Sequence, residues 1–382
     1  MEVVLLKSKP IIVQICRDAT DTGGGRVALE ISKYFALSGY KVIIITDTIC
    51  DANINDVSFQ YTSMGQLLKD WKAGNKITKT LRHLLQLVVF MFTSYFELTK
   101  IKDKKITINH NLESLAGDVY VIHNVFNYEN KNKPILKRLL RWFNPVFFIR
   151  AGREYLLLRL AYDKKIICVS EQTLSEARAY CPSNSNLCYI NNGVNADFFS
   201  YKNRFLKQKE FNLIFVGHEF ERKGLEYIIK SLSLVPEYIK LYIVGGAGSS
   251  RKKYEELIDE HNLQGRVIFK GTILGQDLVT LYHRCDLFVL PSKYETWALV
   301  GLESMSCGLP VLMTNVGGIP EYLKDGLNGF FITQNEKDIA EKVNVISSNK
   351  ELYEQMSANA RQTALKHSWN ACAQKYLNVI EQ

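Results

Sequence analysis

The chain has 382 residues, enough for two domains that each bury their own core. Hydrophobic residues make up 47% and charged residues 23%, a composition typical of soluble globular proteins. The net charge of +9 favours an anionic partner, but charge alone does not separate nucleotides, nucleic acid and anionic lipid.

Cysteine usage and hydropathy exclude several protein classes. The eight cysteines include no C-x-x-C pair and no metal-like cluster with histidine, so we expect free thiols and a reducing compartment. The longest strongly apolar run, Leu84–Phe92, is too short to cross a bilayer. Met1–Lys9 lacks the features of a secretory signal. These observations predict a cytoplasmic protein.

The chain opens with a β-loop-α-β pattern of a parallel sheet. Pro10–Ile15 is predicted as a buried strand, Val27–Ser38 as a helix and Lys41–Thr46 as the next strand. The loop between the first strand and the helix contains Gly23, Gly24 and Gly25. Glycines at this edge of an open sheet permit close approach of a ligand, although such a turn is also common without any ligand.

The rest of the first half is less legible, above all between Cys50 and Leu115. Gly117–Ile122 is predicted as a strand, and His123 follows it. A histidine at a strand end can be purely structural or can contact a ligand, and both interpretations stay open. His110, at the end of another apolar run, is a weaker candidate for the same role. Ile166–Ser170 is predicted as a further strand.

The second half repeats the alternation after a polar, basic linker at Tyr201–Glu210. The predicted strands are Asn212–Val216, Leu241–Val244 and Val267–Phe269, with a helix after the first of them that runs through Leu234. Alternating strands and helices in both halves predict an α/β protein with two doubly wound Rossmann-like domains. We place the boundaries at 1–200 and 201–365, with 366–382 as a last helix.

A motif-rich segment runs from Asp286 to Phe331. It contains a buried strand, Leu287–Leu290, a helix, Ala298–Cys307, and a second strand, Val311–Thr314. Glu295 precedes the helix and Glu303 lies inside it. The free N–H groups of the first helical turn, at Leu299 and Val300, suit a phosphate group, and a carboxylate on each side could hold sugar hydroxyls.

Two adjacent cations stand in the loop after the first strand of the second half. Arg222 and Lys223 follow Gly217 and precede a helix, where cations are disfavoured unless an anion is present. The alternative is a solvated basic pair. We predict that both side chains are exposed and that they neutralise a diphosphate.

The order P-S-x-x-E, a second glutamate, C-G-L-P-V and G-G-x-x-E resembles the donor site of retaining glycosyltransferases of family 4, which have the GT-B fold. Where that family often has Gly-Phe-Gly, this chain has Thr296, Trp297 and Ala298. The string F-V-G-x-x-F-x-R-K-G is similar to the lipopolysaccharide core glucosyltransferase branch. After GDVY, the acidic residue of that branch is replaced by His123 and Asn124.

The resemblance implies a retaining, metal-independent transferase without a cofactor, acting on a nucleoside-diphosphate sugar and a glycan or lipid-linked acceptor in bacterial surface polysaccharide or lipopolysaccharide synthesis. It implies that the two domains face a central cleft and that the last helix, Trp369–Ile380, crosses back to the first domain. It also implies roles for individual residues. Glu303 would hold the ribose hydroxyls and Glu295 a sugar hydroxyl, and His123 would contact the sugar or the acceptor. Gly23–Gly25 would close on the diphosphate, and the backbone near Thr272 and Ile273 would contact the base.

Two other functional classes stay open. One is an epimerase of the same fold, which would act on a nucleotide sugar without an external acceptor; the spacing of Glu295 and Glu303 favours transfer. The other is a basic nucleic-acid binder, against which the absence of any recognised nucleic-acid motif counts. The sequence does not separate the possible bases, sugars and acceptors.

One segment predicts contact with a membrane surface. Residues 129–165 contain ten Lys or Arg and three acids. If 135–143 is helical, its large apolar side chains share one face, with Lys137, Arg138 and Arg141 opposite and Trp142 at the border. The alternative is a helix that packs this apolar face on the core of the first domain. We predict peripheral binding to anionic lipid.

Overall fold

The computed structural model describes residues 9–20, 23–48, 54–62, 67–68, 71, 74–131, 134–183, 185–203, 210–246, 248 and 251–382. The chain folds into two compact units. One comprises Met1–Ile190 with Cys372–Gln382, and the other comprises Asn191–Ala371. Each unit is a parallel sheet with helices between its strands, which confirms the predicted fold class of two doubly wound Rossmann-like domains.

The first unit contains a sheet of seven strands among the described residues, in the order β3-β2-β1-β4-β5-β6-β7, and every pair is parallel. Its interior strand β1 is buried along its whole length, as expected for a strand covered on both faces. The strands are β1 (Ile11–Ile15), β2 (Val42–Thr46), β3 (Val57–Tyr61), β4 (Lys105–His110), β5 (Val119–Ile122), β6 (Lys165–Cys168) and β7 (Asn186–Tyr189).

The helices that follow these strands are α1 (Gly23–Leu37), α2 (Lys76–Lys100), α3 (Phe126–Lys131), α4 (Ile135–Trp142), α5 (Pro145–Arg159) and α6 (Glu171–Arg178). The expectation that Gly23–Gly25 form a loop is wrong, because the first turn of α1 already begins at Gly23. The helix α2 occupies the segment that the sequence left unassigned, and an Asn75–Thr78 capping box starts it. In the described part of the chain, no helix is long and apolar enough to cross a membrane.

The helix α4 is where the predicted amphipathic segment lies. Its apolar residues Ile135, Leu136, Leu139 and Leu140 are between 56% and 77% exposed, and Phe143, just after it, is 84% exposed. The alternative that this face packs on the core is therefore wrong. Arg141 differs from the predicted solvated face, since it pairs with Glu129 at 3.4 Å. The side chains of Lys137 and Trp142 lie outside the described residues.

The second unit contains a six-stranded parallel sheet among its described residues, in the order β10-β9-β8-β11-β12-β13. Its strands are β8 (Phe211–Val216), β9 (Ile239–Val244), β10 (Val267–Gly271), β11 (Leu287–Leu290), β12 (Val311–Thr314) and β13 (Gly329–Ile332). Its helices are α7 (Leu225–Ser231), continued by one 3₁₀ turn (Leu232–Leu234), α8 (Arg251–Glu260), α9 (Gly275–Arg284), α10 (Leu299–Ser306), α11 (Ile319–Tyr322), α12 (Glu336–Ser348) and α13 (Lys350–Lys366).

The last helix, α14 (Trp369–Glu381), begins in the second unit and continues into the first. Lys165 Nζ donates to Val379 O at 2.6 Å, and Tyr40 Oη donates to Glu381 Oε1 at 2.5 Å. The units divide at 190/191 and 371/372, where the sequence predicted 200/201 and 365/366. Residues 191–200 fall in the second unit because Val194 bridges Ser368. The predicted linker lies partly outside the described residues, at 204–209.

Candidate functional site

Two loops of the second unit cross at the carboxyl ends of the central strands β8 and β11. Gly224 has a φ of +73°, and a Cβ there would lie 2.3 Å from Pro291 O, so only glycine fits this crossing. Lys293 N donates to Arg222 O at 2.8 Å. These contacts hold the loop that carries Arg222 and Lys223 against the loop that carries Glu295.

The carboxylate of Glu295 is the centre of this crossing and is 9% exposed. Its Oε1 accepts from Lys223 Nζ at 2.8 Å, Ser292 Oγ at 2.8 Å and Arg222 Nη1 at 3.3 Å. All the donors recorded for this carboxylate among the described residues reach Oε1, so Oε2 keeps its capacity to accept. Lys223 has three N–H donors and uses one of them here.

Electrostatics keep Glu295 ionised. Burial acts to raise the pKa of the carboxyl group, but the opposing charges of Lys223 and Arg222 outweigh it, so the pKa lies below its ordinary value. For Arg222, burial lowers the pKa and Glu295 raises it, with a net rise. The three residues therefore form a charged cluster at neutral pH.

The expectation that Arg222 and Lys223 are both exposed is wrong. The side chain of Arg222 is 32% exposed and that of Lys223 only 12%. Gly217 explains the burial of Lys223, because a Cβ at Gly217 would lie 2.2 Å from Lys223 Cδ. The aliphatic part of the Lys223 side chain thus crosses the end of β8 over Gly217, which has no side chain. Gly217 belongs to the site through this contact.

The helix α10 starts at Leu299, four residues after Glu295, and no side chain caps its N-terminus at Ala298. The first-turn N–H groups of Leu299 and Val300 are therefore candidates for an anion, as the sequence predicts. Glu303, one turn further, is 2% exposed. These residues lie on the same strand-loop-helix segment as Glu295.

The remaining predicted donor residues, Thr272 and Ile273, follow β10 at the same sheet edge. Thr272 is exposed, and its Oγ1 would lie 3.7 Å from a Cβ placed on Gly246. Gly246 N in turn donates to His218 Nδ1 at 3.2 Å. The backbone at the ends of β9 and β10 is thus close together and accessible.

Trp297 occupies the position where the resemblance departs from its pattern. The indole is 5% exposed and packs edge-on against Tyr322, with ring centroids 5.3 Å apart. Gly318 makes room for it, since a Cβ there would lie 2.3 Å from Trp297 Cε3. The large ring is accommodated in the core of the second unit beside the loop that carries Glu295.

In the first unit, His123 follows β5, and His110 ends the neighbouring strand β4. The two rings are stacked with centroids 5.5 Å apart. From the sequence, they are alternative candidates for one role, whereas the structure places them side by side. Gly24 approaches the same place, because a Cβ there would lie 3.1 Å from His123 Cδ2. Gly23 and Gly25 lie beside it in the first turn of α1.

Gln14, on β1, completes this group and was missed at the level of sequence. Its side chain is fully buried, and its Oε1 lies 2.6 Å from His110 Nε2. Burial lowers the pKa of His123 to about 4, and burial together with the neighbouring His123 lowers the pKa of His110 well below its ordinary value. A glutamine in the middle of an apolar strand was the signal that could have identified it.

Most of the second unit is similar to a known protein family. Residues 197–363 match the family model for glycosyl transferases group 1. An uncharacterized glycosyltransferase of Methanocaldococcus jannaschii is 32% identical over 179 residues, which is 46% of this chain and 46% of that protein. The chain therefore spans less than half of that relative. The matched region contains the Glu295 cluster and α10.

Solved structures resemble the chain over nearly its whole length. The glycosyltransferase WaaG, described as involved in lipopolysaccharide biosynthesis, has a TM-score of 0.76 and 20% identity, covering 97% of this chain and 99% of its own. Anabaena HepE, in complex with UDP-glucose, has a TM-score of 0.69 and 18% identity, covering 97% and 99%. These similarities establish the GT-B type of fold.

Proposed function

We propose that the chain is a glycosyltransferase that moves a sugar from a nucleoside-diphosphate sugar to an acceptor hydroxyl. The observation that carries the proposal is the ionised, buried carboxylate of Glu295, with three donors on Oε1 and Oε2 free to accept. A sugar hydroxyl is the natural donor to such an oxygen. The match of residues 197–363 to group 1 glycosyl transferases supports the same conclusion.

The diphosphate of the donor would lie between the first turn of α10 and the pair of cations. Breaking the bond between the anomeric carbon and the phosphate oxygen adds one negative charge to the diphosphate. The N–H groups of Leu299 and Val300, and the unused donors of Arg222 and Lys223, would stabilise that charge as it develops. Glu303 would hold the ribose hydroxyls, with the base near Thr272 and Ile273.

We infer retention of configuration and independence from metals. The acceptor oxygen would bond to the anomeric carbon on the face that the diphosphate leaves, and its proton would pass to the leaving phosphate oxygen. Arg222 and Lys223 would supply the positive charge that a divalent cation provides in other enzymes. His123 would contact the sugar or acceptor, and Gly24 would permit that close approach.

The acceptor is proposed to be a glycan or a lipid-linked molecule of bacterial surface polysaccharide or lipopolysaccharide synthesis. The exposed apolar face of α4 supports a lipid-linked one, since five large apolar side chains at 135–143 are more than half exposed. We propose that this face enters the surface of an anionic membrane. The epimerase and nucleic-acid alternatives gain no support from the similarity to transferases.

The test begins with a thermal-shift screen across nucleoside diphosphates and their sugars, with UDP-glucose as the first probe. A ligand at one hundred times its dissociation constant stabilises a protein by about 2.7 kcal/mol. Release of the nucleoside diphosphate is then followed with and without acceptor and with and without a chelator, and the anomer of the product is read by NMR.

Transfer that is unaffected by the chelator and keeps the donor's anomeric configuration is the expected result. Conversion of the donor to a new sugar nucleotide without any acceptor would instead identify an epimerase. Failure of every nucleotide sugar to bind would contradict the proposal. Glu295→Gln serves as the inactive control.

A further inference from the structure

Three arginines of the first unit interact electrostatically with one another and are not used by the donor chemistry. Arg17 follows β1 at the carboxyl edge of the sheet. Arg150 and Arg153 lie one turn apart on α5 and therefore share a face of that helix. Burial and the repulsion from Arg17 lower the pKa of Arg150, and burial lowers that of Arg153 to about 10.

These guanidinium groups are incompletely paired. Arg17 is 8% exposed, and its Nη1 has no hydrogen-bond partner among the described residues, while Nη2 donates to Asp18 at 2.6 Å. Arg153 Nη2 donates to Asn111 O at 3.3 Å, but its Nε is buried without a partner in the same described part of the chain. A buried donor without an acceptor costs free energy, which a bound anion would remove.

Arg150 also lacks a carboxylate partner at ion-pair distance among the described residues. Its Nη2 donates to His83 Nε2 at 3.2 Å, and its guanidinium lies 5.5 Å from the centre of the Phe126 ring. The carboxylates that interact with the three arginines are Glu113, Asp18, Asp47 and Glu154. Glu113 accepts from Arg17 N at 2.7 Å. Arg17 thus pairs directly with Asp18, whereas Arg150 and Arg153 have no carboxylate at ion-pair distance among the described residues.

The turn that links this cluster to His123 is strained. Asn111 and Leu112, which follow β4, have φ values of +53° and +55°, a conformation that residues other than glycine rarely adopt. The Asn111 side chain and His123 both flank Gly24, at 3.0 and 3.1 Å from a Cβ placed there. The strained turn therefore places the group that binds Arg153 next to His123.

We propose that Arg17, Arg150 and Arg153 form a binding site for a phosphate group carried by the acceptor, next to His123. Planar guanidinium groups with unpaired N–H donors match phosphate oxygens, and three interacting positive charges favour a group with more than one negative charge. The phosphate could belong to a soluble sugar phosphate or to the head group of a lipid-linked acceptor. The inference rests on the proposed transferase function.

The binding test uses the full chain and inorganic pyrophosphate. Arg222→Gln is the parent, so that the cations of the second unit contribute less to binding. The variant adds Arg150→Gln and Arg153→Gln, while the matched control adds Arg159→Gln and Arg178→Gln, two exposed arginines of the same unit. We expect calorimetry to show affinity about tenfold or more weaker in the variant and unchanged in the control. Equal affinities in all three, or an equal loss in the control, overturn the proposal.

The transfer test separates the two sources of phosphate. A soluble sugar phosphate and a polyprenyl diphosphate sugar in neutral vesicles are offered as acceptors to the chain with native Arg222. The expected result is that Arg150→Gln/Arg153→Gln raises the KM of the phosphate-bearing acceptor about tenfold, while hydrolysis of the donor by water is retained. Equal use of acceptors with and without phosphate overturns the site. If the wild-type chain instead shows no donor turnover at all, that result contradicts the transferase function itself. Arg17 is left unchanged because its burial makes a folding defect the expected outcome.

Discussion

His110 Nδ1 lies 3.2 Å from His123 Nε2, so two imidazoles from neighbouring strands share one hydrogen bond. Gln14 decides which ring donates. Its Nε2 donates to Ala28 O at 2.9 Å and contacts Ser32, so Oε1 is the atom that faces His110 and must accept. His110 therefore carries its proton on Nε2, and His123 donates from Nε2. The Nδ1 of His123 is left as an acceptor for a ligand.

This pair predicts a loss of stability in weak acid. The pKa of His123 is lowered by burial to about 4 and that of His110 lies below its ordinary value, whereas both would titrate near 6.5 in the unfolded chain. The unfolded state thus binds more protons below pH 6.5. The stability is fully present above that pH and falls towards pH 4, by about 1.4 kcal/mol per pH unit for His123, and His110 acts in the same direction.

Urea denaturation followed from pH 7.5 to pH 5 checks this prediction. His123→Asn should reduce the dependence of the unfolding free energy on pH, and His218→Asn, a change at an exposed histidine of the second unit, should not. Identical pH dependence in wild type and His123→Asn would refute the assignment.

Glu295→Gln should leave the fold intact and reduce turnover by a hundredfold or more. The amide can keep an oxygen towards Lys223 and Ser292, but it then places an NH₂ group where Oε2 stood, and a sugar hydroxyl loses its acceptor. Steady-state kinetics and thermal melting are measured together. Glu219→Gln is the control, because that exposed carboxylate bonds to the same Arg222. Equal losses in both variants would remove Oε2 from the mechanism.

Gly217→Ala should impair donor binding through Lys223. The new methyl group would lie 2.2 Å from Lys223 Cδ and would push the ammonium away from Glu295. The backbone of Gly217 itself is not in the left-handed region, so strain is not the cause. We expect about tenfold weaker binding of the nucleoside diphosphate, measured by calorimetry. Gly152→Ala, at an open position on α5, should bind normally.

Arg222→Ala/Lys223→Ala should destabilise the second unit as well as abolish transfer. Both cations pair with Glu295, so their removal leaves a buried carboxylate without compensation, which costs on the order of 3 kcal/mol. Adding Glu295→Gln to the double variant should recover part of that stability while activity stays lost. A double variant as stable as wild type would show that the ion pairs contribute nothing to folding.

Sedimentation with lipid vesicles tests the membrane proposal. Binding to anionic vesicles should weaken with salt and should be lost in Leu136→Ser/Leu140→Ser, because the exposed apolar face supplies the insertion. Lys137→Glu/Arg138→Glu should reduce binding to anionic vesicles alone. Leu234→Ser/Leu274→Ser, at exposed leucines of the second unit, is the matched control. Equal binding of all variants would contradict the role of α4.

The local elements of the second unit were predictable because each has a strong pattern of its own. The apolar run at Leu287–Leu290 and the strand at Val311–Thr314 are found as predicted, and α10 is one residue shorter at each end than the predicted Ala298–Cys307. Contacts between distant segments were not predictable. The burial of Lys223 depends on Gly217 and on Glu295, which is 72 residues away.

In the first unit, too, local elements were predictable and contacts between distant segments were not. Its strands were largely visible, but α2 was not, since several of its apolar residues remain exposed and blur the helical period. Asn75 and Thr78 form its cap and were the local signal for its start. His110 and His123 meet only because β4 and β5 are neighbours in the sheet, an arrangement that periodicity does not report.

The return of α14 to the first unit has a consequence for synthesis. The first unit is discontinuous, because Cys372–Gln382 join it after the whole second unit has been made. The ribosome therefore synthesises the whole second unit before it synthesises the last segment of the first unit, although synthesis of the first unit began earlier. Until that segment is made, Lys165 and Tyr40 lack the hydrogen-bond acceptors that Val379 and Glu381 provide. The nascent first unit would stay partly folded until then, and a partly folded domain is a typical binding target of chaperones.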